Sequence, residues 1–192
     1  MLVAKADQKR LNFLNCLEFL ELKGKEQFGD GFNIQERDHE LIFKLLVYAI
    51  GDKENAQRLG INLGKGILLS GPIGCGKTSL MKLIRMFQPP ESSYKIKSCR
   101  EISFEFSQEG YEVVQKYSTD SYLSRPSFRS PIIYCFDDLG SEQSLKYYGN
   151  NCNVMGEILL SRYDEYVNKR MITHITTNLS SKEIEETHIF DH

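Results

Sequence analysis

The chain has 192 residues, 41% hydrophobic and 26% charged, with a formal net charge of −2. That composition is ordinary for a soluble domain with a core of its own, and the charge excludes bulk attraction to nucleic acid while leaving room for a local basic patch. The five cysteines (Cys16, Cys75, Cys99, Cys135, Cys152) form no C-x-x-C pair, so they read as reduced thiols and not as a disulfide framework or a zinc site with His39, His174, His188 or His192.

The chain opens with Lys5, Asp7, Lys9 and Arg10 and lacks a long apolar stretch there, so no signal peptide is expected. No run approaches the roughly 20 apolar residues of a membrane span. A cytoplasmic protein without membrane contact is predicted. Leu11, Leu14, Leu17 and Leu20 predict a helix ending at Gly24, and Gly24, Gly29 and Gly31 predict a linker. Residues 1–32 are therefore taken as an N-terminal helical segment with its linker, and 33–192 as the core domain.

Asn33 and Glu36 resemble a capping box ahead of a helix with Leu41, Ile42, Leu45, Leu46 and Ala49 on one face, stopped by Gly51. Ile67 to Ser70 predicts a buried strand, Thr78 to Phe87 a helix closed by Pro89-Pro90, and Tyr94 to Lys97 a second strand. A short helix is predicted over Gly110 to Tyr117, a polar surface loop over Ser118 to Pro131, and a strand over Ile132 to Phe136. A helix over Val154 to Val167 and a strand over Met171 to Thr177 follow. Strands alternating with helices predict a three-layer α/β domain with about four strands in a mostly parallel sheet.

The segment Gly71-Pro72-Ile73-Gly74-Cys75-Gly76-Lys77-Thr78 fits G-x-x-x-x-G-K-[ST] without mismatch, with a strand before it and a helix after it. Glycines let such a loop curl its N–H groups inward at phosphate oxygens, and the helix N-terminus adds positive potential. The residues from Gly71 to Ser79 are thus expected to hold a nucleoside triphosphate. Lys77 would reach the β- and γ-phosphates and the Thr78 hydroxyl would ligate Mg²⁺. The strand ending in Asp137-Asp138 suits a Walker B site: Asp137 would join Thr78 at the metal and Asp138 would orient or polarise the attacking water. Asn178, after Thr176-Thr177, is either a third polar group at the γ-phosphate or the cap of a helix beginning near Leu179.

Taken in order, the P-loop, Phe136-Asp-Asp-Leu-Gly140 and Thr176-Thr-Asn-Leu179 resemble the AAA+ ATPases, in the branch of DnaC-type helicase loaders and IstB-type transposition helpers. The resemblance covers about Gly66 to Glu186. It implies ATP as the nucleotide, Lys77 and Thr78 as the Walker A pair, Asp137 and Asp138 as Walker B, and Asn178 as sensor 1. It also implies an ATPase that assembles with further copies of itself and acts on DNA, a replicative helicase or a transposase. Relatives continue past the sensor with an arginine-bearing stretch, a last core strand and a helical lid. Here only Thr187 to His192 follow Glu186, without arginine, so the chain reads as C-terminally shortened, without a complete lid and slow to hydrolyse ATP alone. Arg162 is either a substitute finger or a solvent-facing residue.

Two other functions stay open: a nucleotide-binding module with little turnover, and a P-loop kinase of small metabolites. Lys95, Lys97, Arg100, Arg125 and Arg129 are candidate DNA phosphate contacts. The Tyr147-Tyr148-Gly149-Asn150 stretch reads as a turn on the core or as a platform for bases.

Overall fold

The computed structural model describes residues 12–125, 128–141, 145–147 and 150–186. Contacts divide the chain into two compact units, Met1–Ile61 and Asn62–His192.

In the first unit, helix α1 (Phe13–Phe28) starts where the Asn12 side chain accepts the Asn15 N–H at 3.3 Å. The helix does not end at Gly24, as its glycine suggests, but runs four residues further, to Gly29 as its cap. Gly24 is buried because the Phe32 ring lies against it: a Cβ there would sit 2.1 Å from a ring carbon. The glycine serves a close approach, not a stop. The capping box does not form either. Glu36–Asp38 make a 3₁₀ turn, and α2 (His39–Ile50) begins only after it. Ile42, Leu45, Leu46, Val47 and Ala49 are buried on α2, while Leu41 stays exposed, and Gly51 ends the helix in the left-handed conformation expected of it. The sequence reading missed α3 (Lys53–Leu59), which the Asp52 carboxylate caps by accepting the Asn55 N–H at 3.0 Å.

The second unit carries, in chain order, β1 (Leu68–Ser70), α4 (Lys77–Ile84), β2 (Lys95–Ser98), α5 (Cys99–Glu109), α6 (Glu112–Tyr117), β3 (Tyr122–Arg125), β4 (Phe128–Pro131), β5 (Tyr134–Leu139), β6 (Leu145–Tyr147), β7 (Asn150–Cys152), α7 (Val154–Lys169), β8 (Thr173–Thr177) and α8 (Ser181–Glu186). Four strands form a wholly parallel sheet in the order β1-β8-β5-β2. Side chains of β5 alternate between its faces. Tyr134 and Phe136 join Ile102, Phe106, Met155 and Ile158 in one apolar layer, and Cys135 joins Leu69, Met81 and Tyr94 in the other. Helices α5, α6 and α7 cover the first face and α4 the second, which is the three-layer α/β arrangement.

The segment read as a polar surface loop contains a hairpin instead, in which β3 and β4 pair antiparallel from Tyr122↔Pro131 to Arg125↔Phe128. A second hairpin joins β6 to β7. Tyr147 and Asn150 pair across it, whereas Tyr148 and Gly149 lie outside the described residues.

Arg162 departs from both readings offered for it. It is 1% exposed, so it is neither a surface residue nor free to reach another copy. Its Nε donates to Thr173 Oγ1 at 2.7 Å, Nη1 to the Tyr117 carbonyl at 2.8 Å, and Nη2 to the Ile132 and Ile172 carbonyls at 2.9 and 3.0 Å. The guanidinium also lies over the rings of Tyr134 and Phe136, 5.3 and 5.6 Å from their centroids. Burial pulls its pKa from 12.5 to about 10, so it stays charged at neutral pH. The cation fastens the amino-terminal ends of β5 and β8 to the end of α6.

Candidate nucleotide site

The opposite, carboxyl ends of the same strands carry the residues singled out in the sequence. The P-loop leaves β1 at Ser70 and enters α4 at Lys77, as the motif requires. Gly74 and Gly76 have φ of +80° and +88°, in the left-handed region that a side chain disfavours. A Cβ at either would meet no atom within 4 Å, so conformation and not space demands glycine there. The Gly71 N–H donates to the Thr177 carbonyl at 3.2 Å, which ties the start of the loop to the end of β8. Pro72, Ile73, Gly74, Cys75 and Gly76 are exposed, while Ser79 is half-buried in the first turn of α4.

Lys77 is 7% exposed, and its ammonium turns back over the loop. It donates to the Gly71 and Pro72 carbonyls at 2.7 and 3.0 Å. One residue on, the Thr78 hydroxyl lies 2.9 and 3.0 Å from the two carboxylate oxygens of Asp137, at the end of β5. The hydroxyl and carboxylate that the sequence assigned to one metal ion are therefore in contact, though 59 positions apart. Both are hard oxygen donors of the kind Mg²⁺ accepts through one or two carboxylates.

Asp137 is only 9% exposed, and it also accepts the Thr176 hydroxyl at 2.6 Å. Asp138 is exposed and has φ of +58°, unusual for a residue with a side chain. Its N–H donates to Thr176 Oγ1 at 2.9 Å, and its carbonyl accepts the Ser141 N–H at 3.1 Å and the Ser141 hydroxyl at 2.6 Å. Between the register pairs Phe136↔Ile175 and Leu139↔Thr177, β5 places two residues against the single Thr176. That is a bulge, with Asp137 buried and Asp138 exposed within it. Asn178 is exposed one residue beyond the pair Leu139↔Thr177. Sequence reasoning missed Thr176; its one signal was a hydroxyl residue inside a buried strand.

Behind the site, His174 is buried and accepts the Ile67 N–H through Nδ1 at 3.0 Å, beside the Tyr94 ring. Burial, with a smaller contribution from Arg162, lowers its pKa from 6.5 to about 4, so it is neutral. Burial likewise pushes the Cys135 thiol far up and keeps it protonated.

Of the candidate DNA-contacting cations, Lys97 is less available than its sequence suggests. Lys97 Nζ lies 2.9 Å from Glu101 and 2.7 Å from Glu105. Glu105 also takes Lys116 at 2.9 Å and the Tyr117 hydroxyl. Burial would raise the Glu105 pKa, yet the hydrogen bonds from Lys97, Lys116 and Tyr117 win and hold it at about 2. Lys95 and Arg100 remain exposed. No helix among the described residues is long and apolar enough to cross a membrane.

By sequence, no protein-family model and no curated protein matches the chain. Solved structures do resemble it. PCH-2 of C. elegans is 19% identical over 83% of this chain and 42% of its own, with a TM-score of 0.48. A protein from Streptococcus pyogenes serotype M3 described as a primosome component is 16% identical over 81% of this chain and 71% of its own, with a TM-score of 0.49. The DnaC helicase loader is 16% identical over 83% of this chain and 82% of its own, with a TM-score of 0.47. The chain thus spans less than half the length of the PCH-2 chain.

Proposed function

We propose that the chain binds ATP with Mg²⁺ between the P-loop and the ends of β5 and β8, and that it is a AAA+-type ATPase handling DNA or a replicative helicase. The observation that carries the nucleotide reading is the Thr78–Asp137 contact of 2.9 Å, directly after a P-loop whose lysine is already turned into the loop. The helicase-loader part rests on the order of the motifs: P-loop, Asp-Asp-Leu-Gly after β5, and Thr-Thr-Asn after β8.

In this reading the Lys77 ammonium exchanges its two carbonyl partners for phosphate oxygens, which give a stronger, charge-assisted bond. The N–H groups from Gly74 to Thr78 line the phosphates at the positive end of α4. Thr78 and Asp137 hold Mg²⁺, which neutralises charge on the phosphates. Asp138, exposed at the strand end, orients the attacking water, and Asn178 contacts it or the γ-phosphate from the β8 side. The alternative with little turnover of its own is favoured by Arg162, which is 1% exposed and makes four hydrogen bonds in the core. No observation favours a metabolite kinase.

The test is Mg-ATP binding and turnover of wild type against Lys77→Ala over a range of protein concentrations, with and without DNA. Binding lost in the variant, with turnover per molecule rising with concentration, supports an assembling ATPase. Binding without turnover at every concentration supports the alternative. A wild-type protein that binds no Mg-ATP sinks both.

A further inference from the structure

We propose that Thr176 is a positioning residue whose single hydroxyl sets both carboxylates of the site, fixing Asp137 toward the metal and holding the peptide of Asp138. The proposal rests on the Mg-ATP reading above. A threonine hydroxyl has one proton to give and lone pairs to receive. Asp137, as a carboxylate, only accepts, and the Asp138 N–H only donates. The two contacts, 2.6 Å to Asp137 Oδ1 and 2.9 Å from the Asp138 N–H, therefore fix the direction of both bonds and the rotor itself.

The bulge makes this hydroxyl necessary. With two residues of β5 opposite Thr176, the Asp138 N–H pairs with the Thr176 hydroxyl and not with a ladder carbonyl, and a backbone N–H shielded from water without a partner is costly. Thr176 Oγ1 replaces the missing carbonyl and so stabilises Asp138 at φ +58°. Thr176 is wholly buried, and β8 lies inside the sheet with β1 and β5 on either side. Its branched Cβ restricts χ1, which keeps the hydroxyl aimed.

On the Asp137 side, the described donors are Thr78 and Thr176. Thr78 is the one whose oxygen turns to the metal in the reading above. Thr176 then acts on the carboxylate from behind, as outer-shell partners of metal ligands do, and losing such partners typically costs about 10–100-fold in metal affinity.

The test compares ATP affinity in chelator and in saturating Mg²⁺ for wild type, Thr176→Val and Thr176→Ser, with melting curves alongside. Valine keeps the shape and removes the hydroxyl. The expected result is that Thr176→Val retains metal-free affinity within about 3-fold and loses about 10–100-fold of the Mg²⁺-dependent gain. Thr176→Ser should restore most of that gain. Should Thr176→Val not fold, Thr176→Cys, a weak donor of similar size, takes its place with the same expectation. An unchanged Mg²⁺-dependent gain in the variant, or equal losses in chelator and in Mg²⁺, overturns the proposal and leaves the nucleotide reading standing. A wild-type protein silent under both conditions overturns the nucleotide reading and this proposal with it.

Discussion

The two ends of the parallel sheet handle charge in opposite ways. At the amino ends of β5 and β8, Arg162 is sealed in the core, and its hydrogen bonds go to three carbonyls and a hydroxyl, with two aromatic rings beneath it. At the carboxyl ends, Lys77 also bonds two carbonyls, but on an exposed loop, and Asp138 faces solvent. A buried cation with fixed partners serves the fold. Lys77, bonded to loop carbonyls, is the cation proposed above to meet phosphate. The difference lies in what surrounds the charge, not in the charge itself.

The comparison breaks most readily at Arg162. Arg162→Ala leaves the Tyr117, Ile132 and Ile172 carbonyls without their donor and opens a cavity, for an expected loss of about 3–5 kcal/mol. Thermal melts should show a fall of roughly 10 °C for a chain of this size. Nucleotide affinity of the still-folded fraction should be unchanged, and a loss of binding with an unchanged melt would reverse the assignment. Asp138→Asn should do the opposite, lowering turnover by about 100-fold or more as lost general-base catalysis does. Single-turnover assays read the loss, while the melt should stay put. Lys77→Ala should weaken ATP binding by about 100-fold, the equivalent of one or two charged hydrogen bonds. Calorimetric titration checks this.

The smallest effect sharpens the picture of the sheet's interior. The folded-state pKa of His174, about 4, lies below the ordinary 6.5, so the unfolded chain takes up the proton first as pH falls. The stability this neutral histidine contributes is whole above pH 6.5 and drains away toward pH 4. Denaturant melts should lose roughly 1 kcal/mol over the first pH unit below 6.5. His174→Gln should remove that part of the slope.

The sequence was most legible where the chemistry is contiguous. The P-loop spans adjacent residues, so its loop and helix start could be read without the fold. The strand before Asp137 was also legible, though β5 runs on to Leu139, because acidic residues at a strand end look like a turn until the bulge is seen. Helix α5 was missed because Ile102, Phe104 and Phe106 alternate as in a strand. The structure buries Cys99, Ile102, Ser103 and Phe106 at helical spacing and leaves Phe104 60% exposed. Gly24 looked like a helix stop because its reason for being glycine, the Phe32 ring, is a tertiary contact. Arg162 was illegible for the same kind of reason: arginine is seldom fully buried, and its partners come from the end of α6, from just before β5 and from the start of β8.

The bulge in β5 also limits how this segment can vary in length. In a regular strand Phe136 and Leu139, three residues apart, would face opposite sides. The extra residue opposite Thr176 brings both into the same apolar layer, with Leu139 1% exposed. The fold should therefore withstand a change of side chain at Asp138 far better than a single residue inserted or deleted between Phe136 and Leu139, which would swap the faces of everything beyond it.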